Sequence, residues 1–272
     1  MSATLRTPGR VRHEARRRLL EVLRVEQLTP RMRRIVLGGA ELAGFTSAAA
    51  DDHVKLFLPA PGQERPELPT MGPDGPIWRA GAVRPAARDY TPRRYDPIRG
   101  ELTIDLVLHA TGPASDWAAA AAPGQWLGVG GPRGSLLIPD DYDAYLLAGD
   151  ETALPAIARR LEEMPPGAPA MVLIEVADAA EQRHLPSAAN AAVTWLFRNG
   201  TPPGKSTLLE DALRSAVLPS GDVHAWIAAE IETARSLRRY LIEHARFDRS
   251  QIRAAGYWRL GEQGAHSRLD EE

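Results

Sequence analysis

Cysteine is absent from this 272-residue chain. That one absence excludes disulfides, thiolate zinc sites, iron–sulfur clusters and cysteine nucleophiles together, so any redox chemistry has to come from a bound cofactor. Long apolar runs are missing too. None approaches the ~18–20 residues that cross a bilayer, and the first twenty residues carry Arg6, Arg10, Arg12, Arg16, Arg17 and Arg18 without the apolar stretch of a secretory signal. A cytoplasmic protein is the expectation, its basic N-terminus read as a frayed, solvated tail. Excess charge of either sign is also lacking. Lys+Arg total 33 and Asp+Glu 35, a formal net charge of −2, which argues against a dedicated nucleic-acid or membrane binder. The seven histidines show neither i, i+4 pairing nor an HExxH pattern, so no protein-ligated metal is expected. No GxSxG elbow marks a serine hydrolase.

What is present divides into two grammars. The first half has short or alternating apolar runs between Gly and Pro, around Leu23–Leu28, Arg33–Leu37 and Val54–Leu58, which read as strands. The clearest is Glu101–His109, where Leu102, Ile104, Leu106 and Leu108 alternate with Thr103, Asp105, Val107 and His109. A Pro- and Gly-rich stretch over 59–85 reads as a long surface excursion without regular elements. Short strands broken in this way predict a barrel over 1–140. From Tyr145 onward, strands at Tyr145–Ala148, Met171–Val176, Val193–Phe197 and Val223–Ala228 alternate with helices at Thr152–Glu163, Ser206–Val217 and Thr233–Ala245. This alternation predicts a parallel-sheet, Rossmann-like α/β domain over 141–272, with a ligand cleft between the two domains.

Three segments could carry chemistry. Arg88-Asp89-Tyr90-Thr91 offers a guanidinium, a ring and a hydroxyl on an extended stretch. It suits a phosphate and a planar heterocycle, or equally an Arg paired with surface acids and a Tyr in a barrel wall. In the second segment, the strand ending at His109 turns through Gly112-Pro113 into a helix. Its free amides and Ser115 hydroxyl form either a pyrophosphate site or a plain cap by Ser115 and Asp116. His109 is either a cofactor contact or a satisfied core histidine. In the third, Leu146–Ile157 runs from a buried strand into a helix through Gly149-Asp150-Glu151-Thr152. That is a strand end of the kind that meets a nucleotide, or simply an N-cap region, and GxGxxG is missing. Gly200–Ser206 imitates a P-loop but has three residues between the glycines where four are needed, and two prolines that donate no amide.

In their order and spacing, six segments resemble the siderophore-interacting protein family, flavin-dependent ferric-siderophore reductases related to ferredoxin reductases. They are Asp52-His53-Val54-Lys55-Leu56, RDYTPRRYD at 88–96, DLVLHATGPASDWA at 105–118, PGQWLGVGGPRGS at 123–135, LLAGDETALPAI at 146–157 and RRYLIEHARFDRSQIRAAGYWR at 238–259. The resemblance implies an FAD-binding antiparallel barrel followed by an NAD(P)H-binding-like α/β domain.

By that likeness Arg88, with Asp89 beside it, meets the FAD phosphates, Tyr90 lies against the isoalloxazine and Thr91 bonds near its N5. Asp105, Val107 and His109 line the cofactor, and Gly112, Pro113, Ala114 and Ser115 cap its pyrophosphate. Glu151 and Thr152 sit where a nicotinamide approaches, so that Thr91 and Glu151 are the catalytic candidates, and Tyr257 and Trp258 close the flavin pocket from the opposite domain. Lys55, Arg133 and Arg259 are the cationic candidates for an anionic ferric siderophore, with His266 a further one in the tail. NAD(P)H, or a ferredoxin, is the implied electron donor, with Arg198 and Arg235 as candidate partners of a 2′-phosphate. One departure from the family pattern is Ala228-Ala229-Glu230, where the Ala229 methyl is expected to crowd a nucleotide. Two alternatives stand beside this reading: a general NAD(P)H-dependent flavin or electron-transfer reductase, and a non-catalytic module that binds a siderophore or a nucleotide.

Overall fold

The computed structural model describes residues 8–72, 75–109, 112–262, 264 and 267–269. The chain separates into two compact units, one over Arg10–Leu137 and one from Ile138 onward.

The first unit contains β1 (Gly9–Arg12), β2 (Arg17–Thr29), β3 (Met32–Gly38), β4 (Val54–Leu58), β5 (Thr70–Gly72), β6 (Gly75–Ile77), β7 (Ala86–Tyr90), β8 (Arg94–Asp96), β9 (Glu101–Val107), α1 (Pro113–Ala120), β10 (Trp126–Gly130) and β11 (Gly134–Leu137). Seven of these strands form one antiparallel sheet in the order β7-β4-β10-β2-β3-β9-β8. Its two edges, β7 and β8, are consecutive in the chain. A flat seven-stranded sheet would hold its edges about 29 Å apart at ~4.8 Å per strand, whereas the step from Tyr90 to Arg94 spans about 14 Å at most. The sheet therefore has to curl until its edges meet at Thr91–Arg93, where the Arg93 N–H donates to Thr103 O of β9 at 2.9 Å. Pro92 suits this corner because it ends β7 and offers no ladder donor. The curl encloses a core of Leu20, Val22, Ile35, Leu37, Leu56 and the β9 leucines, and α1 supplies Ala114 and Ala118 to it.

Two expectations change here. Residues 9–20 are not a frayed tail: β1 pairs with β11, and β2 starts at Arg17. Arg18 is buried, donating to Glu41 O and Gly131 O with its guanidinium over the Phe45 ring. The excursion over 59–85 contains the short β5–β6 hairpin, paired from Thr70 to Ile77.

The second unit is built from β12 (Ala144–Asp150), α2 (Leu154–Glu163), β13 (Pro169–Val176), β14 (Asn190–Phe197), α3 (Leu208–Ser215), β15 (Val223–Glu230), α4 (Ile231–Glu243), β16 (Ile252–Trp258) and β17 (Ser267–Arg268). The sheet order is β14-β13-β12-β15-β16-β17, with every pair parallel except β16–β17. β12 and β15 are buried along their whole length, as a strand covered on both faces must be. From β12 the chain winds outward to β13 and β14, then returns to the other side of β12 as β15. The carboxyl ends of β12 and β15 therefore flank the topological switch point, where this kind of sheet binds ligands. Between β13 and β14 there is no α-helix, only a 3-10 turn at Ala179–Glu181. No helix among the described residues is long and apolar enough to cross a membrane.

Candidate functional site

In the first unit the predicted segments converge around the closing corner of the sheet. β7 presents Arg88 and Tyr90, both half-buried, while Thr91 lies buried in the corner. Burial pushes the Tyr90 phenol up to about 12, against the opposing pull of the Arg88 charge, so the ring stays neutral at every physiological pH. Arg88 donates to Ala87 O at 2.8 Å. Across the ladder, Asp89 faces Lys55 of β4, with Nζ 2.7 Å from Oδ1.

α1 packs against β3, β4, β9 and β7, the last of which carries Arg88. The helix N-terminus has Gly112 as its N-cap, Pro113 at its start and no side-chain cap. The Gly112 φ of +146° is a backbone conformation that L side chains rarely adopt, so glycine is what this turn favours. His109 is exposed, which removes the core-histidine reading. Ser115 does not cap the helix. Its buried hydroxyl accepts from His109 N at 2.8 Å and donates to His109 O at 2.7 Å, locking the turn and leaving only backbone amides for an anion. Asp105 is also spent internally: its carboxylate is fully buried and bound by Arg34 through two bonds of 2.7 and 2.9 Å, with Arg93 4.0 Å away. Asp105 thus braces β3 against β9 with its side chain, and Val107 beside it is half-buried. Ala110 and Thr111 of this motif, like His266, lie outside the described residues.

The donor set suits FAD. An anionic pyrophosphate is matched by the Arg88 guanidinium and an uncapped helix N-terminus reached through a glycine turn, and a planar ring by Tyr90. Of the cationic candidates, Lys55 pairs in register with Gly130, and Arg133 follows three residues later in an exposed turn. Arg17, opposite Gly130 on β2, joins them. Its pKa is lowered by burial and by the Arg133 charge. Arg259 belongs to the second unit, where it pairs with Glu262 at 3.1 Å.

In the second unit the centre is Asp150, the last residue of β12, which local sequence pattern does not single out from its neighbours. Its carboxylate accepts from Thr152 N at 2.9 Å, Thr152 Oγ1 at 2.5 Å, Glu230 N at 3.1 Å and Trp258 Nε1 at 2.7 Å. It joins the ends of β12, β15 and β16 in one network. Burial, and then the charge of Glu151, pushes its pKa up to about 6 despite these bonds. The segment is therefore not an N-cap, since α2 begins only at Leu154 with no side-chain cap. Gly149 is required: a Cβ there would strike Ala228 O and the Ala153 methyl.

Glu151 holds Arg198 through two bonds of 2.5 and 2.6 Å, and Arg198 reaches Glu175 at 3.3 Å. The Arg198 side chain is only 1% exposed, so it is a structural counter-ion and not a partner for a 2′-phosphate. Arg235 pairs with Glu232 on the surface of α4. Burial raises the Glu175 pKa, although Ser206 and Arg198 pull the other way. The Ala229 methyl lies in the core with Ile231, Ala234 and Leu237 of α4, which removes the crowding expectation. Tyr257 and Trp258 are half-buried at the end of β16, with Tyr257 edge-on to Trp226 at 6.2 Å.

Among the described residues no cluster of His, Asp and Glu could hold a metal ion. A cavity of about 440 Å³ lies on the β14 side, lined by Gln182, Arg183, His184, Leu185, Val193 and Trp195. None of the predicted site residues touches it.

Comparison with known proteins covers both units. Residues 21–136 match the profile described as siderophore-interacting FAD-binding domain, and 142–261 match siderophore-interacting protein. The chain is 41% identical over 261 residues to an NADPH-dependent ferric-chelate reductase of Escherichia coli, covering 95% of this chain and 99% of that protein. It is 32% identical to the ferric vibriobactin reductase of Vibrio cholerae, covering 94% and 96%. A siderophore utilization protein from T. fusca superposes with a TM-score of 0.88 at 43% identity, covering 95% and 98%. The ferredoxin reductase of carbazole 1,9a-dioxygenase, at 16% identity and TM-score 0.65 over 88% and 68%, shares the fold alone. The ferredoxin-reductase-like architecture expected from the sequence is thereby found.

Proposed function

Because the chain belongs to the siderophore-interacting protein family, we propose that it is an FAD-dependent oxidoreductase that reduces ferric siderophores, Fe(III) to Fe(II), at the expense of NAD(P)H. One observation carries the reading. A cysteine-free chain matches an FAD-binding profile over the unit that holds the Arg88–Tyr90–Thr91 corner and the Gly112 turn, and a siderophore-interacting profile over the unit that holds the Asp150 network.

Bound FAD supplies the conversion between two-electron and one-electron transfer that no side chain here can perform. The residues of the first unit bind and orient it. Arg88 and the α1 amides take the pyrophosphate, the neutral Tyr90 ring gives a flat apolar wall, and the buried Thr91 hydroxyl offers a hydrogen bond without admitting bulk water. Asp89, Val107 and exposed His109 line the remainder. At the carboxyl edge of the second unit we assign Thr152, Tyr257 and Trp258 to the nicotinamide-nucleotide site, because they stand at the strand ends beside Asp150. This replaces the flavin-closing role that the resemblance implies for the two aromatics. Glu151 shapes the site through its grip on Arg198. Lys55 and Arg133, with Arg17, provide positive charge for an anionic ferric chelate. Fe(II) is held more weakly than Fe(III) by hard oxygen ligands, so iron leaves an intact chelator. We place the reaction in the cytoplasm, where reduced nicotinamide is available.

The test is an absorption spectrum. The purified protein is expected to be yellow, to bleach on anaerobic addition of NADPH or NADH, and to recover colour on addition of a ferric siderophore with formation of Fe(II). A parallel arm with reduced ferredoxin reads the alternative donor. Colourless protein of intact fold that cannot be loaded with FAD would defeat the proposal.

A further inference from the structure

The last β16 residue is held with more apparatus than a terminal aromatic needs. β16 runs in register with β15 as far as Ala229 opposite Gly256. The register then slips, so that Glu230 faces Trp258 and Tyr257 is left over. A bulge of this kind re-aims the side chain that follows it. The re-aimed indole donates its Nε1–H to Asp150 Oδ2 at 2.7 Å, and its far edge abuts Gly204: a Cβ there would lie 2.9 Å from Trp258 Cη2 and 3.1 Å from Glu230 Cγ, with φ at +73°. Bulge, carboxylate and glycine thus fix one side chain from three directions at the switch point, while the ring stays partly open to solvent.

We propose that Asp150 is the positioning residue of the donor site, acting through Trp258: its carboxylate sets the plane of the indole against which the nicotinamide nucleotide packs. The inference rests on the proposed function for its kinetic part. Its geometric part does not. A buried acceptor with a dedicated indole donor locks a rotamer that apolar packing alone would leave free to turn about χ2. Asp150 touches no substrate in this scheme. Three other charged groups lie in the same cluster: Glu151, which is spent on Arg198, Arg198 itself, and Glu230, which caps α4 through the Glu232 and Thr233 amides. Asp150 is the one of these carboxylates that receives the indole.

The experiment combines ¹⁵N-indole NMR with kinetics on the full chain. The chain has six Trp, and Trp258→Phe assigns the resonance. In the wild type the Trp258 Nε1–H signal should titrate with a midpoint near the Asp150 value of about 6, and in Asp150→Asn it should move and no longer titrate. In ferric-chelate reduction, Asp150→Asn should raise the KM for NADPH about tenfold with kcat within about threefold. Trp258→Phe should reproduce that split, and the double variant should be no worse than Trp258→Phe alone. An indole signal indifferent to Asp150→Asn overturns the proposal, and so do additive effects in the double variant. If Asp150→Asn does not fold, Trp258→Phe decides, because an unchanged KM there is equally fatal. A chain inactive toward every ferric chelate defeats the proposed function and removes the kinetic role, while the NMR result still reports whether Asp150 holds the indole.

Discussion

Lys55 and Asp89 face each other across β4 and β7, with Nζ 2.7 Å from Oδ1. One of the chain's two lysines is thus half-neutralised by a residue of the very segment expected to bind the cofactor. With the lysine side chain 43% exposed, the pair adds little to stability, but it competes with any anion that approaches Lys55.

Asp89→Asn should therefore lower the KM for an anionic ferric chelate by about two- to fivefold, the size of an exposed ion pair. The gain should fade as salt is raised. Lys55→Ala should raise the same KM. Initial rates at low and high ionic strength check both, and an Asp89→Asn enzyme with weaker substrate binding would show that Asp89 helps the chelate instead of hindering it.

Arg88→Ala combined with Tyr90→Ala should purify without yellow colour. Loss of one charged hydrogen-bond donor and one stacking ring removes roughly 2–4 kcal/mol of binding, or on the order of 100-fold in affinity for FAD. Fluorescence titration of the folded variant with FAD measures it. Normal flavin occupancy would contradict the assignment of the closing corner.

Arg198→Ala should destabilise the second unit by about 3–5 kcal/mol, because it strands Glu151 and Glu175 together with no counter-charge in a largely buried setting. Urea unfolding gives the value. A loss below about 1 kcal/mol would mean that the site is open enough for water to replace the guanidinium, and would return Arg198 to the candidates for ligand binding.

The pH dependence of stability carries a definite sign at Asp150. Its folded pKa, raised by burial and then by Glu151 to about 6, lies above the ordinary aspartate value of 3.8, so the native state holds the proton more tightly than the unfolded chain. The resulting stabilisation is full below about pH 4 and is lost as pH rises through about 6, a swing of roughly 3 kcal/mol at most. Asp150→Asn has no such group. The stability of the wild type relative to that variant should be greater at pH 5 than at pH 7.5, and a difference that grows with pH would refute the direction.

Local pattern made much of the fold legible. The alternation in Glu101–Val107 and the continuous apolar runs of β12, β13 and β15 are properties of consecutive residues, and the structure places strands at each. The bounds of α2 were off by two residues at the start because Asp150, Glu151 and Thr152 look like a cap while Asp150 in fact serves neighbouring strands. Strand β1 and the start of β2 are not legible locally, because a run of arginines reads as solvated and nothing nearby in the chain shows that Arg18 finds carbonyls of Glu41 and Gly131.

Composition and short-range periodicity alone settle which chemistries are closed to this protein and where barrel grammar changes to α/β grammar. The flavin and the ferric chelate enter through the likeness of its ordered motifs to a family. What each polar side chain does is set by the packed fold. It gave Asp105 to Arg34, Ser115 to the His109 backbone, Arg198 to Glu151, and Trp258 to Asp150, 108 residues away along the chain. A buried charge or hydroxyl must take whatever partner the packed sheet brings within about 3 Å, and that partner is set by register and crossover, which no local stretch of sequence records.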